Sequence, residues 1–213
     1  MELIDKIEAY WTGRAEGYSE VNQGELATNQ RQKWTENLKK HLPKGEPRNV
    51  KVLDVGTGPG FFAILLAEAG YQVTAVDYTE EMLKEAGKNA GELAEQITWK
   101  QMDAQKLDFE DETFDAVVSR NLTWNLEKPE KAYEEWMRVL KPGGKMLNYD
   151  ANWYHHLFDK EKRKEYRLLA FVAKGKGIFK FLIVIGSLLT VLVIFLVSYV
   201  IFDSNIYDEL NSK

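Results

Sequence analysis

The stretch Val-Lys-Val-Leu-Asp-Val-Gly-Thr-Gly-Pro-Gly, residues 50–60, decides how this chain folds. Its first half is a short apolar run, and its second half has glycine at three alternate positions, Gly56, Gly58 and Gly60. Residues 61–69 continue with a helical pattern and no breaker. We therefore predict a strand, a tight turn and a helix. Such a turn lets a ligand approach main-chain N–H groups, and the helix N-terminus adds partial positive charge.

A second predicted strand, residues 71–76, ends in another acid, Asp77. An acid about twenty residues after a glycine turn is placed to accept hydrogen bonds from the two hydroxyls of a ribose. The dinucleotide fingerprint requires a third glycine at its sixth position, which here is Phe61, because Gly60 comes one residue early. This spacing disfavours a nicotinamide-dependent oxidoreductase. An absence of NAD binding would exclude that alternative.

The run Leu53-Asp54-Val55-Gly56-Thr57-Gly58-Pro59-Gly60, with Asp77 after the next strand, resembles the class I S-adenosylmethionine-dependent methyltransferases of the small-molecule, type 11/25-like kind. The resemblance implies an α/β fold, with a Rossmann-like, mostly parallel sheet and helices on both faces. It also implies S-adenosyl-L-methionine as cofactor and methyl transfer to a small-molecule acceptor.

The resemblance assigns roles to individual residues. The glycine turn would hold the methionine end of the cofactor, with Asp54 near its ammonium group, and Asp77 would bind the ribose. Met82 either packs on the adenine or fills the core, and Asp103 either binds the adenine amino group or is a surface carboxylate. The full set expected at the cofactor is Asp54, Gly56, Thr57, Gly58, Gly60, Asp77, Tyr78, Met82, Asp103, Ala104 and Asn121.

The remaining chain alternates between strand and helix patterns, as a parallel sheet requires. Thr79 is a predicted N-cap. Further helices are predicted at residues 2–11, 26–41 and 129–140, and further strands at 97–102, 114–119 and 145–149. The Leu-Lys-Pro-Gly-Gly segment at residues 140–144 is predicted to end the last helix, and it is another feature of the family.

Residues 1–48 are similar to the N-terminal helical region that covers the cofactor as a lid in many small-molecule methyltransferases. Tyr10, Trp11 and Tyr18 either close over the methyl donor or simply pack the first helix on the core. No catalytic residue is predicted, although His155 or His156 is a conceivable base. The residues proposed for the acceptor side are Trp11, Trp124, Tyr154 and His155.

Composition excludes several kinds of site. The chain has no cysteine, so disulfides, thiolate zinc sites and cysteine nucleophiles are impossible. Its three histidines do not form a metal set, and we expect no metal. Residues 1–150 contain 19 basic and 27 acidic residues, which argues against tight nucleic-acid binding. The oligomeric state is left open.

The C-terminal third differs in character from the rest. The core is predicted at residues 49–158, followed by a basic segment at 159–180, an uncharged segment at 181–202 and a polar tail at 203–213. Residues 181–202 would form a helix of roughly 33 Å, enough to span a hydrocarbon core of about 30 Å. Lysines before this segment and acids after it predict a single C-terminal span with a cytoplasmic catalytic half.

The resemblance covers roughly residues 1–158, whereas family members continue with a helix and an antiparallel hairpin. The fifth strand would then be an exposed edge. Three explanations stay open: the charged segment and a partner cover it, a smaller sheet is still competent, or the catalytic domain is truncated and little active. The alternative function is therefore a membrane-tethered S-adenosylmethionine-binding protein with little or no turnover.

Overall fold

The computed structural model describes residues 3–151. The predicted segments 159–180, 181–202 and 203–213 lie outside these residues, as do Tyr154 and His155. Within residues 3–151, no helix has the length and apolar character that crossing a membrane requires.

Five parallel strands form one sheet in the order β3-β2-β1-β4-β5. The strands are β1 (Lys51–Val55), β2 (Gln72–Asp77), β3 (Ile97–Gln101), β4 (Phe114–Arg120) and β5 (Leu140–Tyr149). The helices are α1 (Leu3–Thr12), α2 (Ala15–Leu26), α3 (Gln30–His41), α4 (Phe61–Glu68), α5 (Glu80–Ala90) and α6 (Pro129–Val139). Three short 3₁₀ turns span Pro47–Asn49, Gly91–Gln96 and Thr123–Asn125. The predicted parallel α/β sheet is confirmed, and the first four predicted strands agree within one residue at each end.

The central strands are apolar on both faces because helices cover both faces. In β1, Val52 packs in one cluster with α4, and Leu53 packs in the opposite cluster with Trp136 of α6. All three of these side chains are fully buried. This is the burial expected of a parallel sheet, whose inner strands show continuous apolar runs rather than alternation.

One helix of the N-terminal region was not predicted. The helix expected at residues 26–41 is wrong at its start, because the chain turns at Ala27–Asn29 and residues 15–26 form a separate helix, α2. The buried residues of α2 are Ala15, Ser19 and Asn22, which are small or polar. A search for apolar periodicity therefore had almost no signal to find in this segment.

The Lys-Pro-Gly-Gly segment has a different role from the predicted one. Helix α6 does end just before it, but the chain enters β5 at once, at Leu140. The register of β5 on β4 shifts here, with Leu140 opposite Phe114 and Lys145 opposite Ala116. The segment is thus a bulge inside a strand rather than a turn before it. Among residues 3–151, no strand pairs with the outer edge of β5.

Trp136 anchors α6 to the sheet, and its truncation should strongly destabilise the protein. The side chain is fully buried, and its Nε1–H donates to the carbonyl oxygen of Ala104 at 3.0 Å. We expect Trp136→Ala to lower the free energy of unfolding by about 3–5 kcal/mol, through the cavity and the lost hydrogen bond. Urea denaturation followed by circular dichroism measures this free energy of unfolding. Met137→Ala, at the next and exposed position, should change it by less than about 0.5 kcal/mol.

Candidate functional site

A pocket lies beyond the carboxyl ends of β1, β2 and β4, beneath α1 and α2. In open α/β sheets this is the edge at which ligands bind. Most of the residues predicted for the cofactor line this one pocket: Asp54, Gly56, Thr57, Gly58, Asp77, Tyr78, Met82, Asp103, Ala104 and Asn121. Trp11, predicted for the acceptor side, lines it as well. The fold therefore brings together, at one pocket, residues that are up to 110 positions apart in the chain.

The glycine turn adopts a backbone that requires glycine. Gly56, Gly58 and Gly60 all have positive φ, at 66°, 53° and 89°. A Cβ on Gly56 would lie 2.6 Å from Cδ2 of Leu122, and one on Gly60 would lie 3.0 Å from Cβ of Ala86. Gly60 thus allows α4 to pack closely on α5, and it is not among the residues that line the pocket.

The carboxylate of Asp77 connects the two loops on that side of the pocket. Its Oδ2 accepts the backbone N–H of Gly58 at 2.8 Å, and its Oδ1 accepts that of Thr79 at 2.9 Å. A carboxylate has about four acceptor positions, so both oxygens keep capacity for a ligand. Burial raises the pKa of Asp77, and these backbone hydrogen bonds oppose that rise. Thr79 begins α5 as predicted, but its side chain makes no capping hydrogen bond.

Asp54 is the most deeply buried carboxylate of the pocket, with 2% of its surface exposed. Its Oδ2 accepts the Thr57 hydroxyl at 2.7 Å. Burial raises its pKa to about 7, against the hydrogen bonds from Thr57 and the Ala63 backbone, while Asp77 adds a smaller upward effect and Arg120 a smaller downward one. A carboxylate held in this way favours a cation beside it, because a cation would stabilise its ionised form.

The opposite side of the pocket has both apolar and polar groups. Met82 of α5 is 2% exposed, and it lines the pocket while also packing inward. Asp103 uses Oδ1 to accept the backbone N–H of Gln105 at 2.8 Å, so it also shapes its own loop. Ala104 is buried, and its carbonyl oxygen is occupied by Trp136. The roles of Met82 and Asp103 at the adenine stay predictions.

Asn121 follows β4 in a left-handed backbone conformation, with φ of 58°. Its N–H donates to the Tyr149 carbonyl oxygen at 2.8 Å, and its own carbonyl oxygen accepts Nε1–H of Trp124 at 2.9 Å. Trp124 does not line the pocket, but its ring lies 6.3 Å from that of Trp11. The two aromatic side chains proposed for the acceptor side therefore lie next to each other at the mouth.

The N-terminal helices do cover the pocket. Ile7 and Trp11 of α1 and Tyr18 of α2 line it, and the Tyr18 ring lies above Gly58. Tyr10 differs from these, because it is 53% exposed and is not among the lining residues. Trp11 and Tyr18 therefore lie at the pocket, and their closing over a methyl donor stays a prediction.

Three residues of the pocket have no individual role in the prediction from sequence, although two of them belong to the segment at the end of β4 that is expected to contact the ligands. Arg120 lines the pocket, and its guanidinium donates to both carboxylate oxygens of Glu25 at 2.8 Å. The same guanidinium lies 4.6 Å from the Phe61 ring centroid. Asn22 of α2 and Leu122 after β4 also line the pocket. An ion pair between residues 95 positions apart leaves no pattern in a single sequence.

No group of three metal-ligating side chains occurs within residues 3–151, and His155 and His156 lie outside that range. The described pocket therefore offers carboxylates, main-chain N–H groups and aromatic rings. These groups suit a ligand that carries a cation, hydroxyl groups and a flat ring system.

Comparison with known proteins agrees with this geometry. Residues 53–148 match the family described as "Methyltransferase domain". The chain is 38% identical over 109 residues to the ubiquinone/menaquinone biosynthesis C-methyltransferase UbiE of Desulfotalea psychrophila, covering 50% of this chain and 44% of that protein. It is 37% identical over 102 residues to phosphatidylethanolamine N-methyltransferase of Cereibacter sphaeroides, covering 47% of this chain and 50% of that protein. The chain thus spans about half the length of these relatives.

Two solved structures have a similar fold. PH0226 protein of Pyrococcus horikoshii OT3 is 31% identical, with a TM-score of 0.54 over 64% of this chain and 66% of that one. A candidate S-adenosyl-L-methionine-dependent methyltransferase of Methanococcus maripaludis gives a TM-score of 0.60 over 78% of this chain and 84% of that one. At 22% identity, the second likeness shows the fold alone.

The raised pKa of Asp54 should make stability depend on pH. An ordinary Asp has a pKa of 3.8, and folding raises that of Asp54 to about 7, so the folded protein holds this proton more tightly. The stabilising effect is complete below pH 4 and is lost as pH rises to about 7, a change of about 4 kcal/mol. Urea denaturation between pH 4.5 and 8 should show Asp54→Asn losing much less stability than the wild type over this range. Parallel pH profiles for the two proteins would contradict it.

Proposed function

We propose, from the premise that residues 53–148 form a methyltransferase domain of the class I fold, that this chain transfers a methyl group from S-adenosyl-L-methionine to a small-molecule acceptor. One observation carries the proposal: a glycine turn, the buried carboxylate of Asp54 and the partly buried carboxylate of Asp77 meet in one pocket at the carboxyl ends of parallel strands.

The pocket groups match the parts of this cofactor. The carboxylate of Asp77 is suited to the ribose hydroxyls, since its two oxygens already face the glycine turn and the start of α5. Asp54 is suited to the ammonium of the amino-acid end, because a cation would offset the cost of its burial. Met82, Asp103 and Ala104 would lie along the adenine, and Tyr78 beside the ribose.

The cofactor supplies an electrophilic methyl group on a sulfonium, which a nucleophile of the acceptor displaces in line. The protein's contribution is to align the two reactants and exclude water, which can recover up to about 7–11 kcal/mol of the barrier. Trp11 and Tyr18, held over the glycine turn by α1 and α2, would exclude water. Asn121 and Leu122 would lie near the reacting methyl group. No catalytic acid or base is required in this scheme.

The acceptor side would be the mouth between Trp11 and Trp124. Tyr154 and His155 stay predictions for the same side. The names of the relatives describe methylation at carbon in one case and at nitrogen in another, so they support a small-molecule acceptor without choosing the reacting atom. An acidic surface over residues 1–150 also favours a small molecule over nucleic acid.

We also propose that residues 181–202 anchor the chain in a membrane, with the catalytic half in the cytoplasm. The support is the sequence alone: 22 residues without charge, with lysines before them and acids after them. An anchor would keep the pocket close to acceptors that partition into lipid.

Binding of S-adenosyl-L-methionine is the first expected result. Calorimetric titration into the full chain should show micromolar affinity, and NAD should not bind. Asp77→Asn should weaken binding at least about tenfold, since a charged hydrogen-bond acceptor in the pocket is lost. Asp108→Asn, at an exposed carboxylate outside the pocket, is the matched control and should keep the wild-type affinity. Equal affinities for the wild type and Asp77→Asn would contradict the ribose assignment.

Turnover separates the enzyme from the tethered binding protein. The methyltransferase should release S-adenosylhomocysteine when a panel of small acceptors with nucleophilic carbon, nitrogen, oxygen or sulfur is supplied. Tight binding of the cofactor with no product from any acceptor would favour the alternative without turnover.

The anchor has an independent test. Full-length protein should stay in the membrane pellet after extraction at alkaline pH, because a spanning helix is not released by loss of peripheral contacts. In inside-out vesicles, protease added outside should degrade the catalytic half. Quantitative recovery of the chain in the alkaline supernatant would contradict the proposal, whatever the outcome of the binding experiments.

A further inference from the structure

One of the residues that line the pocket carries a buried polar atom with no hydrogen-bond partner. It is Oδ1 of Asn22, on a residue that is 6% exposed and that lines the pocket from α2. Within residues 3–151, the other such atom belongs to Asn148, which does not line the pocket. A buried amide oxygen without a partner costs about 1–3 kcal/mol, so its persistence in a binding pocket calls for an explanation.

The polar neighbours of Asn22 on α2 all have partners. Ser19, one turn before it, accepts Nδ2–H of Asn89 at 3.0 Å. Glu25, one turn after it, forms the two-bond ion pair with Arg120. Ser19 and Glu25 are therefore both hydrogen-bonded to the core. Asn22, which lies between them on α2, lines the pocket, and its Oδ1 has no partner.

The anchors of α2 fix which end of the pocket Asn22 faces. Asn89 also donates to the Pro59 carbonyl oxygen at 3.0 Å, so the first half of α2 is held to the glycine turn after β1. Arg120 ends β4, so the second half of α2 is held to β4. Strands β1 and β4 are neighbours, with Val55 opposite Ser119. Asn22 thus lies over the β1–β4 side of the pocket.

Asp54 borders this side, because it belongs to β1, the strand between β2 and β4, and is paired in register with Val118 of β4 as well as with Ala75 of β2. Asp77, by contrast, is the last residue of β2, and Asp103 follows β3, on the other side. The ribose and adenine are assigned to those strands, which leaves the amino-acid end of the ligand for the β1–β4 side.

We propose that Asn22 binds the amino-acid end of S-adenosyl-L-methionine, its amide oxygen accepting a hydrogen bond from the ammonium group that Asp54 neutralises. The assignment rests on the proposed function. An ammonium has three N–H donors, so one buried carboxylate leaves donors that need a second acceptor. Ligand binding would supply the partner that Asn22 lacks, and α2 would become part of the binding site rather than only its cover.

Two adenosine ligands isolate this contact. S-adenosylhomocysteine carries the amino-acid end, whereas 5′-methylthioadenosine has the adenine, ribose and sulfur without it. We expect Asn22→Ala in the full chain to weaken S-adenosylhomocysteine about 10- to 100-fold, as for a lost hydrogen bond to a charged group. Its affinity for 5′-methylthioadenosine should equal that of the wild type. Calorimetric titration measures both affinities.

Two further variants sharpen the test. Gln23→Ala removes the same amide group from the next position of α2, where it contacts Asn89 outside the pocket, and it should not change the ratio of the two affinities. Asn22→Asp keeps an acceptor of the same size, and it should retain tight S-adenosylhomocysteine binding. Unliganded Asn22→Ala should keep the wild-type circular dichroism spectrum, because the removed amide oxygen had no partner.

The outcomes separate this inference from the proposed function. Equal losses for both ligands would overturn it and make Asn22 a purely structural residue of the lid. Unchanged S-adenosylhomocysteine affinity in Asn22→Ala would overturn it as well, while leaving the proposed function intact. A wild-type protein that binds neither ligand would overturn the proposed function, and the inference with it.

Discussion

The placement of two carboxylates at adjacent strand ends, with Asp54 buried and Asp77 partly buried, is the constraint on which the rest of the site depends. Asp54 and Asp77 are acceptable there only because hydrogen-bond donors converge on them, from Thr57 and Ala63 for the first and from Gly58 and Thr79 for the second. The left-handed glycines are what allow the backbone to present those N–H groups. The turn, the carboxylates and the start of α5 therefore form one unit, shaped before any ligand arrives.

Polar contacts join the helices over the pocket to that unit, beside the apolar packing of Leu26 of α2 on the core. Asn89 connects α2 to α5 and to the glycine turn, and the Glu25–Arg120 ion pair connects α2 to β4. Both groups of contacts are directional, so they hold α2 in one place over the pocket.

The sequence predicted the sheet and the cofactor side of the pocket better than the cover. Val52 to Val55 and the glycines after them carry a strand-turn-helix signal within ten residues, and Asp77 and Asp103 follow their strands directly. Helix α2 was missed because its buried face is Ala15, Ser19 and Asn22. Arg120 was missed because its partner is distant in sequence, and the bulge in β5 because Pro142 and Gly143 have the composition of a turn.

The strand order also constrains how the chain reaches this structure. Val52 pairs with Val73 on one side and with Ala116 on the other, so β1 gains its second neighbour only after two further strands and their helices have been made. During synthesis the half from β1 to β3 can assemble through contacts between segments that are close in sequence. The edge of β1 that faces β4 stays unpaired until β4 has been made. Arg120 is the last residue of β4, so its ion pair with Glu25 of α2 forms only after β4 has been made.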